Sequence, residues 1–306
     1  FSLRGACVYS IIWRRRHFNG GHMANTEPQV SIVVATCNRG AILKEHLAAV
    51  LRQDGVDFEA VYVDDGSTDD TPKILAHYAA QYPAIFRWVR TGNRGPGPAR
   101  NTGVEIARGK YVVIADDDTF PASHWLLELI AARDVHHADV VAYVLEPEST
   151  ELPSERYLHY RNLLVTGSVF RRDYIGPAFF LMPRRLFLDA GGFTEVRLEA
   201  AEDFEFCHRL RRHGAAIVFE PSVSVPHLFS ADWAGVKRRV RATAIDGARA
   251  YRMLGMPMGR LALRAVAKLL AAPLWCMRAY PRDLYWVSLQ MEWLFFRHRI
   301  VACFRG

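Results

Sequence analysis

Three carboxylates stand side by side at Asp116, Asp117 and Asp118, directly after the apolar run Tyr111 to Ala115 and just before Thr119, Phe120 and Pro121. Like charges this close push carboxyl pKa values up unless a cation neutralises them. Hard oxygen ligands of this kind suit Mg²⁺ or Mn²⁺, with substrate phosphates completing the shell. The plainer alternative is an acidic turn that leads into a helix capped at Ser123. A second acidic site, VDDGSTDDT (63–71), offers Asp64 or Asp65 as acceptors for a base N–H or a ribose hydroxyl, with Gly66 and Ser67 making a tight turn. Asp69, Asp70 and Thr71 read as turn and cap residues of the next helix. Between these sites, TGNRGPGPARNTG (91–103) forms a loop that brings Arg100 near a helix N-terminus. Backbone N–H groups and a guanidinium together favour a diphosphate there. The loop lacks the G-K-S/T ending of the ATPase phosphate loop.

These residues need a scaffold that gathers them, and the chain patterns one. From Val30, short β-branched runs alternate with helical patterns: VSIVVA (30–35), FEAVYV (58–63), FRWVR (86–90), KYVVIA (110–115) and DVVAYV (139–144) are the expected strands. Such alternation predicts an α/β fold with a mostly parallel sheet covered by helices on both faces. Ligands in such sheets lie beyond the carboxyl ends of the strands, where Thr36, Asp64, Asp65 and the aspartate triplet fall. Residues 146–176 read as an irregular, polar connection, AEDFEFCHRLRRHG (201–214) as a helix, and everything beyond Trp233 as helical, basic and aromatic.

In their order along the chain, VSIVVATCNRG, VDDGSTDDT, the loop ending PARNTG, YVVIADDDTF, GGF and EDFEFCHRLRRHG resemble the family 2 glycosyltransferases of the GT-A fold, from Val30 to Ser230. The resemblance implies a Rossmann-like donor domain and an inverting transfer from a nucleoside-diphosphate sugar, UDP-linked by expectation, to an acceptor hydroxyl. Thr36 and Asp65 would lie by the base, with Asn38, Arg39, Asp64 and Arg100 also on the nucleotide sugar. Asp116 and Asp117 would serve the ribose or stand behind the metal, and Asp118 would meet Mg²⁺ or Mn²⁺ with its carboxylate facing solvent. Asp116 and His227, the latter in VPHLFS, are the further candidate ligands. An acceptor-side acidic pair is matched by Glu202 and Asp203, with Asp203 as the base and Glu202 orienting it. The plainer role for Asp203 is a helix N-cap. Processive relatives carry a Q-x-x-R-W motif and membrane spans, which this sequence lacks, so a single addition is expected.

Composition bounds the remainder. The 306 residues carry a net charge of +7, with arginine and lysine concentrated in the second half, which suits an anionic partner. A nucleic acid is not expected, because three acidic strand ends would repel its backbone. A nucleotidyltransferase and an inactive nucleotide-sugar-binding scaffold are the alternatives. Five cysteines without metal spacing read as reduced thiols in a cytoplasmic protein. Met23 reads as the natural start, and residues 1–27 as a non-native or disordered extension. The expected division is a transferase domain at 28–230, with a donor half at 28–145 and an acceptor half at 146–230, followed by a helical region at 231–306. Within that region, residues 260–303 mix LLAAPLWCM (269–277) with Arg264, Lys268, Arg278, Arg282, Arg297 and Arg299, which suits interfacial helices at the inner face of a cell membrane. The expected acceptor is a carbohydrate or lipid-linked sugar of envelope polysaccharide or glycolipid synthesis.

Overall fold

A computed structural model describes residues 27–147, 150–168, 179–228 and 232–304; the stretch around Met23 and the expected boundary at Ser230 lie outside these residues. The alternating pattern folds as β1 (Val30–Thr36), α1 (Leu43–Val50), β2 (Phe58–Asp64), α2 (Thr71–Gln81), β3 (Phe86–Arg90), α3 (Pro96–Ile106), β4 (Tyr111–Asp116), α4 (Trp125–His136) and β5 (Val140–Pro147). Then follow α5 (Pro153–Ser168), β6 (Phe180–Pro183), α6 (Arg184–Asp189), α7 (Glu202–Arg212), β7 (Ile217–His227), α8 (Trp233–Met253), α9 (Met258–Ala279) and α10 (Tyr285–Phe304).

The seven strands run in the order β3-β2-β1-β4-β6-β5-β7. The first four neighbours are parallel, β6 is antiparallel to both β4 and β5, and β7 is parallel to β5. Alternation along β1 sends Ile32 and Val34 to one face, against Leu43 and Leu47 of α1, and Val33 to the other, against Val104 of α3. Burying both faces explains why these strands are almost wholly apolar.

One expectation is corrected. Part of the segment expected to be an irregular connection is the helix α5, and the residues 169–178 that follow it lie outside the described ones. Tyr157 and Leu158 of α5 are buried against Val236 and Val240 of α8, Cys276 of α9 and Tyr280. Adjacent apolar residues give no local helical period, so only packing against helices distant in sequence reveals the element. The C-terminal helices thus share a core with α5. No helix among the described residues is long and apolar enough to cross a membrane.

Candidate active site

The register of the parallel strands aligns the polar residues that end them. Thr36 lies opposite Asp64, and Ala35 opposite Asp116, so β1, β2 and β4 deliver their last residues to one edge. β7 runs parallel to β5 and brings His227 to the same edge. The turn after β4 is fastened there: Thr119 pairs with His227, Leu228 N donates to Asp118 O at 2.9 Å, and Phe120 N donates to Pro226 O at 2.9 Å.

Ligand atoms of Asp116, Asp118 and His227 converge within 4.8 Å of one another, a set that could hold a divalent cation. His227 Nε2 lies 3.1 Å from Asp118 Oδ1, yet that buried oxygen accepts no well-aligned hydrogen bond. Two carboxylates and an imidazole gathered this closely are a donor set that suits a divalent cation. Arg39 closes the other side, with Nε 3.1 Å from Asp117 and Nη2 3.1 Å from Asp118. Asp118 is only 7% exposed, so its expected solvent-facing carboxylate is corrected to a buried one. Burial opposes its ionisation, but His227, Arg39 and Arg239 of α8 hold its carboxyl below the usual range. Asp117 differs: burial drives it up to about 7, with Arg39 opposing and the charge of Asp118 adding to the rise.

Arg100 also departs from expectation. Its guanidinium is buried and donates at 2.7 Å to both Asp116 Oδ1 and Glu202 Oε1, so it bridges the acidic turn and α7 rather than reaching out to a diphosphate. The ion pairs join the donor edge to the first turn of α7, where Glu202 and Asp203 stand. Asp203 is not the N-cap; that position belongs to Ala201, which takes φ +70° although it is not glycine. Asp203 accepts from Phe204 N at 2.7 Å. Burial, reinforced by the charge of Glu202, pushes its carboxyl up to about 7. A carboxyl at that level is suited to general-base work near neutral pH.

The nucleotide-side candidates hold the loops together. Asp65 accepts from Thr91 Oγ1, Arg94 N and Gly95 N at 2.7, 2.8 and 2.7 Å, leaving capacity for one further donor. Asp64 accepts from Ser67 N at 2.9 Å. Asn38, at φ +56°, accepts from Thr68 N at 2.8 Å and so ties the end of β1 to the turn after β2. Thr36 is buried between them.

Four residues stood outside the sequence reading. His46 is fully buried, and burial lowers its pKa, so the neutral ring donates from Nδ1 to Thr119 O at 2.6 Å and accepts at Nε2 from Tyr62 at 2.9 Å. Its place on the apolar face with Leu43 and Leu47 was the available signal. Asn101 accepts from Phe193 N and donates to Phe193 O, both at 2.8 Å. Gly192 is required beside it, with φ +61° and an added Cβ only 2.5 Å from Asn101 Oδ1. Asp246 of α8 accepts from Glu199 N at 2.8 Å and Ala200 N at 3.3 Å, immediately before Glu202. Arg239 is the fourth.

The sequence profile of glycosyl transferase family 2 matches residues 31–190, more than half of the chain. The chain belongs to that family. Among curated relatives, the succinoglycan biosynthesis protein ExoO of Rhizobium meliloti is 27% identical over 72% of this chain and 65% of its own length. The poly(ribitol-phosphate) beta-N-acetylglucosaminyltransferase TarS of Staphylococcus aureus is 34% identical over 36% of this chain and 20% of its own. The chain thus spans less than two thirds of each. The mannosyltransferase PcManGT of Pyrobaculum calidifontis, solved with GDP-Man and Mn²⁺, superposes with a TM-score of 0.64 at 19% identity, over 92% of this chain and 88% of that one. TarS residues 1–349 with UDP-GlcNAc superpose at 0.52 and 18% identity, over 90% of each chain. The family 2 chain therefore has the GT-A fold.

Proposed function

We propose that this glycosyltransferase inverts the anomeric centre of a UDP-linked sugar in a single displacement by an acceptor hydroxyl, on a carbohydrate or lipid-linked intermediate of the cell envelope. The observation that carries the reading is the bridge from Asp116 through Arg100 to Glu202, which ties a candidate metal site to a carboxyl raised to about 7. Asp203 takes the proton of the acceptor hydroxyl as its oxygen attacks the anomeric carbon. The bond to the diphosphate breaks on the opposite side, so configuration inverts. Glu202, held by Arg100, keeps Asp203 from turning away and contacts acceptor hydroxyls.

Asp116, Asp118 and His227 would hold the divalent metal. Two carboxylates with one imidazole fit Mn²⁺ more readily than Mg²⁺, which prefers all-oxygen shells. When bound, the cation neutralises charge that accumulates on the departing diphosphate. Arg39 and Arg239, not the buried Arg100, are the chain's own cations for that charge. Asp65 and Asn38, just beyond the ends of β2 and β1, would take the base, with the buried Thr36 and Asp64 beside them. The nucleotides in the superposed TarS and PcManGT structures support a nucleoside-diphosphate donor. Free thiols at Cys37, Cys207, Cys276 and Cys303 support a cytoplasmic setting, with the enzyme peripheral at the inner membrane face and the transferase unit ending near residue 230.

Asp203→Asn tests the assignment. Thermal stabilisation by UDP and Mn²⁺ should persist, while transfer should fall by about 10²–10⁴-fold. Proton NMR of the wild-type product should show the anomer opposite to the donor's. Retained configuration, or full activity in the variant, would reject the mechanism, and wild-type protein that binds UDP but never turns over any donor would restore the scaffold reading.

A further inference from the structure

We infer that α9 is a membrane-docking helix whose outer face enters the headgroup region of an anionic lipid surface. Leu263, Leu270, Leu274 and Met277 are 71, 77, 66 and 60% exposed, and Val266 is 38% exposed. At 100° per residue these five fall on one stripe, about 21 Å long at 1.5 Å per residue. The opposite face, with Leu261, Ala265, Ala272 and Cys276, is the one buried in the protein. Single exposed leucines are ordinary, but a continuous stripe left on a helix with a complete inner face marks an interaction surface.

Charge identifies the occupant. α9 contains Arg260, Arg264, Lys268 and Arg278 and no acidic residue. Lys268 turns inward, 3.0 Å from Glu292 of α10. Arg260, Arg264 and Arg278 lie together on one flank of the stripe, exposed, where their heads can reach phosphate while their stems lie along apolar surface. A second copy docked on the same face would bring arginines against arginines with no carboxylate to answer them. An anionic bilayer supplies both the apolar layer and the negative charge. Trp286 and Trp293 of α10, 73 and 53% exposed, are side chains that favour the boundary between water and lipid. This inference rests on the proposed membrane placement and not on the transfer chemistry, so its test reads lipid binding instead of turnover.

In vesicle flotation, the full chain should rise with phosphatidylglycerol–phosphatidylcholine vesicles and remain below with phosphatidylcholine alone. Leu270→Glu with Leu274→Glu should abolish flotation, with an unchanged circular dichroism spectrum. Arg260→Gln, Arg264→Gln and Arg278→Gln together should weaken binding to anionic vesicles by roughly tenfold or more. Wild-type protein that ignores anionic vesicles at low salt overturns the inference. So does a glutamate double variant that converts a dimer into a monomer in light scattering while vesicle binding persists, an outcome that assigns the stripe to a second copy.

Discussion

At the scale of single residues, Asp203 would link the proposed catalysis to stability. Its carboxyl sits at about 7 in the fold against an ordinary 3.8, so the folded state holds the proton more tightly than the unfolded chain does. The protonated group therefore favours folding at low pH, and that contribution is lost as pH rises from about 4 to about 7. Above pH 7 the wild-type protein bears the cost of a partly desolvated charge beside Glu202. Asp203→Asn keeps an acceptor for Phe204 N and removes that cost, so it should melt higher than wild type at pH 8 and lose the advantage near pH 4. Transfer by the wild type should rise with pH through about 7, since the base must be ionised. A variant that melts lower at pH 8, or a flat pH profile where chemistry limits the rate, would contradict the raised carboxyl of this group. At the other end of the bridge, Arg100→Met should destabilise by about 3–5 kcal/mol, because it leaves Glu202 and Asp116 facing one another without their cation. Urea titration measures that loss.

At the scale of elements, the decisive contact is between α7 and α8. The backbone before α7 must pass through Ala201 at φ +70°, a conformation that costs a non-glycine residue energy and persists only when its surroundings hold it. Asp246 supplies the hold by accepting from Glu199 N and Ala200 N, while Arg249 secures the carboxylate at 2.9 Å. Asp246 binds the backbone ahead of α7 and would therefore act on Asp203 by positioning. Asp246→Ala should lower kcat by about 10- to 100-fold through misplacement of Asp203, with donor KM unchanged. Asp246→Asn retains an oxygen for the two N–H groups and should recover part of the rate. Equal losses in both variants, or a rise in donor KM, would mean that Asp246 serves the fold at large.

At the scale of the whole molecule, a seven-stranded sheet with two covered faces provides rigidity, and the candidate site lies where segments distant in sequence meet at one edge. Such a site is completed by its ligands. Asp118→Asn should remove Mn²⁺ binding seen by electron paramagnetic resonance, while the fold survives, since an amide can still accept from Arg39. For the wild type, UDP with Mn²⁺ at about 100 times its Kd should add about 2.7 kcal/mol to stability, and a chelator should abolish that gain. A thermal shift by UDP that ignores the chelator would show that nucleotide binding does not pass through Asp116, Asp118 and His227.

The sequence alone determined the strand ends. Buried parallel strands must be apolar along their length, so the polar residues that end them, Thr36, Asp64 and Asp116, mark the edge of the candidate site. Near-neighbour pattern also sufficed for α1 to α4 and for the helical C-terminal region. Only the tertiary structure decided which charges meet. Arg100 and Glu202 are 102 positions apart, and His46 and Thr119 are 73 apart. No local period encodes such pairs, which is why the sequence offered Arg100 for a diphosphate and gave no sign of its pairing with Asp116 and Glu202. The antiparallel insertion of β6 between β4 and β5, and the helix α5 inside an expected loop, have the same cause: both are stabilised by surfaces that other parts of the chain present. Residue chemistry is local and therefore legible, whereas the partner that neutralises a buried charge is chosen by the fold.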